Sequence, residues 1–483
     1  MKANTVESQS LQLKVLTENQ CAQIIETAFR VLERTGCNVH HAEALKLLKD
    51  AGCSVDGVRV KIPTYVIQKA MTTAPKQIMI YDREGEVACR LSARSGNFHT
   101  VMGMENQYRI DMETGEKRLT VKKDAYEAGL VAQKLSNINV ACGLSCISDC
   151  TPQMADVYET RMLLEATTKP QIVWNFTRES LKTQVDLCAA VAGGLDKFLE
   201  KPFIIAGGAA SVPLSHAEDT MDKMLYMFEL GLPSPYVAAT MMGGTSPRTV
   251  AGSLVQGLCE TLVGLVLSQL KKEGCPFIAT EFLDLLDMRT MSFTMSSPEY
   301  TIGALGGCDI FKYLNLPFAV HLGATDSPVF DQQAAFDIGV QLFAGLLGGA
   351  NLNFFSGYLE TAMSSSLATL MFCNEALGYL KSITAGIVVN EDTLAEEVIH
   401  QVGPNGNFLA EEHTLNHFKE SWMPDTMIRT SYDKWQDAGG KDLNERYKVK
   451  VKEILEQGPE KPLNAEVIKE MDAIVAKAEK VYQ

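Results

Sequence analysis

Between residues 98 and 386, short apolar runs alternate with longer stretches whose apolar residues recur every three to four positions. The runs at 98–103, 138–144, 171–176, 203–207, 235–240, 276–281, 317–322 and 351–355 are too short for helices and near-continuously apolar. The stretches at 121–135, 156–167, 180–192, 216–230, 249–272, 298–314, 332–347 and 364–384 read as helices. Strands apolar on both faces belong to a parallel sheet covered on both sides. Strand–helix–strand crossovers are right-handed, and eight in succession predict a closed (β/α)8 barrel of about 250 residues, over 96–386. An open doubly wound sheet is the competing reading, but no Gly-x-Gly-x-x-Gly turn follows the first strand to favour it.

The flanks have a different rhythm. Residues 1–95 predict a mostly helical N-terminal cap. Cys21, Ile24, Ile25, Ala28, Phe29 and Leu32 mark one face of a first helix. Further short helices are expected at 42–51 and 63–74, with β-like pieces at 57–62 and 77–81. Residues 387–483 predict a C-terminal helical extension that ends in an Ala/Glu/Lys-rich helix at 464–482. This extension is expected outside the barrel or at an oligomer contact, and a homo-oligomer is expected.

Composition adds exclusions. The net charge of −15 argues against nonspecific binding to nucleic acid or anionic membranes, because phosphates would be repelled. The opening stretch lacks the apolar core of a signal peptide. No run approaches the roughly 20 apolar residues that span a bilayer, and 253–270 is broken by Gln, Glu and Gly. A cytoplasmic protein with no nucleic-acid or membrane partner is expected. Twelve scattered cysteines fit reduced thiols. Cys142, Cys146 and Cys150 are one residue off the spacing of radical iron–sulfur enzymes, and they read as small residues packed at a strand end.

In such barrels the chemistry lies at the C-terminal ends of the strands. In order, those ends carry Met102, Met104 and Glu105; Cys146; Asn175 and Phe176; Gly207 and Gly208; Thr240, Met241 and Met242; Glu281 and Phe282; His321 and Asp326; and Phe354, Phe355 and Tyr358. The set is aromatic and methionine-rich, has a few carboxylates, and lacks lysine or arginine. Aromatic faces with a carboxylate hold a quaternary ammonium, which cannot donate N–H hydrogen bonds. The competing reading of Phe354 and Phe355 is core packing, and of His321 a satisfied core histidine. Glu281 ends an apolar strand, where an unpaired carboxylate is costly, so it reads as functional or ion-paired. The glycine corners at 207–208 and 243–244 read as tight turns rather than phosphate cradles. His413 and His417 lie one helical turn apart, the geometry of a zinc pair, but without the glutamate of His-Glu-x-x-His.

Several segments carry a family resemblance. They are Leu16-Thr-Glu, Val-Leu-Glu-Arg-Thr-Gly at 31–36, Glu-Ala-Leu-Lys-Leu-Leu-Lys-Asp-Ala-Gly-Cys at 43–53 and Val-Arg-Val-Lys-Ile-Pro at 58–63. Further along come Asp-Met-Glu-Thr-Gly-Glu-Lys-Arg at 111–118, Thr-Asp-Ser at 325–327 and Asp-Gln-Gln-Ala at 331–334. The last are Val-Gly-Pro-Asn-Gly-Asn-Phe-Leu at 402–409 and His-Thr-Leu-Asn-His-Phe at 413–418. Together they resemble the trimethylamine methyltransferase family of corrinoid-dependent methyltransferases, in order over nearly the whole chain. The resemblance implies a (β/α)8 barrel with added terminal elements. It also implies demethylation of a methylamine or quaternary amine, with the methyl passed to Co(I) of a separate corrinoid protein. The 402–409 and His413–His417 elements become architectural under it, and no metal ligands are assigned.

Trimethylamine enzymes of the family carry pyrrolysine, whereas every position here is a standard residue. Members without it resemble quaternary-amine enzymes acting on glycine betaine, proline betaine or carnitine. The expected cation site is Phe176, Phe282, Phe354, Phe355 and Tyr358, with Glu281 or Asp326 supplying negative charge. His321 and Asn175 are expected to orient the substrate's carboxylate. No tightly bound cofactor is expected, since the methyl acceptor is the corrinoid of the partner. A noncatalytic betaine-binding barrel, a trimethylamine-type enzyme, and a lyase or hydrolase using His413 and His417 are the alternatives.

Overall fold

The computed structural model describes residues 11–94, 98–103 and 106–482. Eight parallel strands alternate with eight helices. The strands are β1 (His99–Val101), β2 (Ile138–Val140), β3 (Gln171–Val173), β4 (Ile204–Ala206), β5 (Ser234–Val237), β6 (Phe277–Thr280), β7 (Phe318–His321) and β8 (Leu352–Phe354). The helices are α1 (Lys122–Lys134), α2 (Ala155–Ala166), α3 (Arg178–Ala192), α4 (Glu218–Leu230), α5 (Val250–Lys271), α6 (Pro298–Leu314), α7 (Gln332–Gly348) and α8 (Leu367–Thr384). Each strand lies inside, or within one residue of, the apolar run that predicted it.

Parallel pairing joins β1 to β2, β3 to β4, and β5 through β6, β7 and β8 back to β1. A bridge from Ala141 to Gln171 links β2 to β3. Ala206 N donates to Pro233 O at 3.2 Å, and Gly208 pairs with Tyr236, which links β4 to β5. The sheet therefore closes, and the fold is a (β/α)8 barrel. Closure leaves no edge strand and buries both faces of every strand.

The flanks decide which end is open. The helix Glu18–Arg34 starts at a Thr17–Gln20 capping box and buries Cys21, Ile24, Ile25, Ala28 and Leu32. That stripe packs on the outer side of α5 and α6. The hairpin Gln77–Tyr81 with Val87–Ser92 bonds to loops that precede the strands. Tyr81 N donates to Pro202 O, Arg83 N to Thr168 O, and Asn351 Nδ2 to Ser92 O. The hairpin thus plugs the N-terminal end of the barrel. The C-terminal helices Leu443–Gln457 and Ala465–Glu479 wrap the outside, the first on α1 and α8, the second on α2 and α3. Glu375 of α8 anchors this layer by accepting from the backbone N–H groups of Asp425, Thr426 and Met427 and from the Tyr447 hydroxyl. Among the described residues, α5 alone is long and apolar enough to cross a bilayer, yet 72% of that window is buried within the protein.

Two features beyond the eightfold pattern lie at the other end. The sixth apolar run continues past the barrel as Phe282–Asp287, pairs with Ala239–Met242, and turns back as Ser292–Thr294. A small sheet of Tyr108–Ile110, Lys117–Leu119, Tyr358–Leu359 and Ser364–Ser365 follows β1 and β8.

Candidate active site

Register fixes which side chains enter the barrel. His321 pairs with Phe354, and Ala319 with Thr280, so His321, Phe354 and Thr280 share one face. Phe282, two residues beyond Thr280, shares it by alternation. The opposite face points outward, because Leu322 meets Gly345 of α7 and Glu281 meets Gly257 of α5 and Gly307 of α6. His321 is accordingly an inward group at the C-terminal end of β7.

Aromatic rings surround it. The His321 imidazole lies 4.7 Å from the Phe282 ring, 4.9 Å from Phe354 and 5.1 Å from Phe355, centroid to centroid. Phe355 in turn lies 5.5 Å from Tyr358. A regular strand would send Phe354 and Phe355 to opposite faces. Phe355 has a φ of +75°, in the left-handed region that bulky residues avoid, and this turn brings both rings to one histidine. Tyr358 fits over Gly103, where an added Cβ would fall 2.7 Å from its ring. Tyr300 of α6 donates to the His321 carbonyl and meets the Phe282 ring edge-on, 6.1 Å away. Sequence reasoning missed Tyr300, because it comes from a helix rather than a strand end.

Burial pushes the His321 imidazole down to about 3, so it is neutral near pH 7. Its Nδ1 has no hydrogen-bond partner among the described groups. Asn175, buried beyond β3, likewise has an amide oxygen and nitrogen without partners there. The Asn175 backbone carbonyl accepts from Lys223 of α4 at 2.8 Å. Phe176 is 43% exposed at the rim.

Two expected sources of negative charge lie elsewhere. Glu281 faces the helical layer, not the rings, because it alternates with Thr280 and Phe282. The absent side chains of Gly257 and Gly307 make room for its carboxyl. Both its oxygens lack partners among the described groups, and burial, helped by the charge of Glu260, holds its pKa well above the usual range. Burial thus favours its neutral form. Asp326 is turned to the hairpin, where it accepts from the Thr294 hydroxyl, from Met295 N at 2.9 Å and from the Thr361 hydroxyl at 3.0 Å. The carboxylate on the face of Phe282 is Asp284, two residues on and 8% exposed. Strand alternation beyond 281 could have found it, had the run been read past the barrel's end.

Met104 and Glu105, expected at the end of β1, lie outside the described residues. Cys142 is fully buried, and Cys146 and Cys150 are half-buried thiols that burial pushes up to about 12 and about 11. Burial favours their neutral thiol form. His413 and His417 lie in the C-terminal extension, outside the barrel.

The family model described as trimethylamine methyltransferase (MTTB) matches residues 1–482. This chain belongs to the trimethylamine methyltransferase family. It is 28% identical to a trimethylamine methyltransferase MttB of Desulfitobacterium hafniense, covering 100% of this chain and 97% of that one. It is 26% identical to a glycine betaine methyltransferase of Desulfitobacterium hafniense, with 96% of each covered. Among solved structures it resembles the Methanosarcina barkeri monomethylamine methyltransferase (MtmB), with a TM-score of 0.53 at 10% identity over 98% of this chain and 89% of that one. At that identity the likeness concerns the fold. The family's methyltransferase chemistry directs attention to the ring-lined end of the barrel.

Proposed function

We propose that this family member demethylates a betaine-type quaternary amine and passes the methyl group to Co(I) of a separate corrinoid protein. The observation that carries the reading is the group of Phe282, Phe354 and Phe355 around a neutral His321. Ring faces attract a permanent cation through their quadrupoles. A protonated histidine among them would repel it, so the imidazole's low pKa is part of the fit. Asp284, on the same strand face as Phe282, supplies formal negative charge. Asn175, whose buried amide has no partner among the described residues, is the group to orient the substrate's carboxylate.

A quaternary nitrogen suits a site of this kind. Trimethylamine needs an electrophile or a proton to become a leaving group, and the standard residues here include no pyrrolysine. A quaternary ammonium is already activated. As the methyl carbon bonds to Co(I), its bond to nitrogen breaks, the nitrogen keeps the electron pair, and a neutral tertiary amine leaves. No proton moves. The rings and the carboxylate therefore need only hold, orient and desolvate the cation. Proline betaine and carnitine lead the candidates, with glycine betaine third. No resident cofactor is required, because the corrinoid arrives as the acceptor on its own protein.

The test mixes the protein with reduced cobalamin and a panel of proline betaine, carnitine, glycine betaine and trimethylamine. One methylcobalamin per demethylated amine from at least one betaine is expected. Turnover of trimethylamine alone would make it a trimethylamine enzyme. Thermal stabilisation by a betaine without product would make it a binding protein.

A further inference from the structure

Between α8 and the C-terminal helices, residues 386–424 form an unusual segment. Its three short helices, Glu391–Leu394, Glu396–Val402 and Glu412–His417, contain no buried residue. Ile387 is 79% exposed and Leu409 87% exposed. A segment with no apolar core gains little from burial to offset its lost chain entropy, and small coreless folds are commonly fastened by a disulfide or a metal. All twelve cysteines are free and none falls in this segment.

The chain nevertheless folds back so that Asp392 meets His413 and His417. Their ligand atoms all lie within 4.8 Å of one another. The two imidazoles project from one helix face, with ring centroids 4.2 Å apart. His417 Nε2 lies 3.3 Å from Asp392 Oδ2, and its Nδ1 lies 3.1 Å from Glu420 Oε1. An imidazole with one nitrogen on an outer carboxylate and the other turned to prospective co-ligands is how a ligating histidine is held. His413 Nε2 rests 3.0 Å from the Asp392 carbonyl, a hydrogen bond that a coordinate bond would replace.

We propose that Asp392, His413 and His417 form a structural site for a divalent transition metal, with zinc the best chemical fit, that fastens residues 386–424. Two imidazoles and a carboxylate leave a fourth tetrahedral position for water. Glu420 is the positioning residue that orients His417. The competing reading is a metal-free imidazolium held between Asp392 and Glu420.

The experiment strips the full chain with a chelator, titrates it with zinc alone, and follows cleavage by a Glu-specific protease within 386–424. One equivalent bound is expected, with at least a tenfold loss of affinity in His413→Ala and His417→Ala, and faster cleavage of the stripped protein. Glu420→Gln should weaken zinc about 10–100-fold. An unchanged melting temperature in the variants guards against global misfolding. Equal zinc uptake by the wild type and a His413→Ala/His417→Ala double variant, or equal protease resistance with and without metal, overturns the proposal.

Discussion

Phe355 carries a local conflict at the site itself. A bulky residue at φ +75° costs roughly 1–2 kcal/mol against ordinary backbone, and the surrounding fold must hold it there. The return is a third ring on His321. A cation–π contact contributes about 0.5–2 kcal/mol, the upper end when it is desolvated, so Phe354→Leu and Phe355→Leu should each raise KM for the betaine about tenfold. Binding of a neutral isostere with carbon in place of the charged nitrogen should change little, which isothermal titration can check. Glu281 leads to a different expectation. A carboxyl packed against the helices does not reach a substrate among the rings, so Glu281→Gln should keep most of the turnover. Steady-state kinetics of that variant decide it, since a collapse of kcat would return Glu281 to the reacting centre.

At the scale of elements, the contact of α5 and α6 with β6 depends on two helical glycines. Glycine costs a helix about 1 kcal/mol relative to alanine, so its use at 257 and 307 needs a reason. The reason is volume, because a Cβ at Gly257 would collide with the Glu281 carboxyl. Gly257→Ala should therefore destabilise by about 1–3 kcal/mol despite its better propensity. Combined with Glu281→Ala, the alanine should recover most of that loss. Urea unfolding of the two single variants and the double variant measures the coupling.

Across the whole molecule, buried ionisable groups set how stability depends on pH. Burial pushes Glu159 up to about 8 and Glu260 up to about 7. Above their ordinary range the unfolded chain ionises these acids while the folded one keeps them protonated. Their contribution is full below about pH 4.5 and is lost as pH rises towards 8. Buried His216 and His321, lowered to about 3, act oppositely and only below about 6.5. Stability should therefore fall between pH 6.5 and 8. Glu159→Gln should flatten that fall, as unfolding curves at the two pH values would show.

The eight strands and helices were legible because a barrel strand is buried on both faces and a barrel helix on one, and each condition leaves its own period. Of the floor hairpin only the piece at 77–81 was legible as β-like, since its partner strand and the end it plugs depend on which segments it meets. His321, Phe282 and Phe354 were legible as strand-end residues, and alternation carried them inward together. Glu281 and Asp326 were legible as strand-end residues too, but the way they face was not, because a sequence does not say which neighbours a carboxylate finds. The order of strands and helices was thus determined by the chain's pattern and the family by its motifs, while closure of the sheet rested on the pairing of its strands. What the tertiary structure decided was direction. A single left-handed turn at Phe355 and two missing Cβ atoms beside Glu281 set which groups face the mouth, and those are differences of torsion and packing that composition and spacing do not encode.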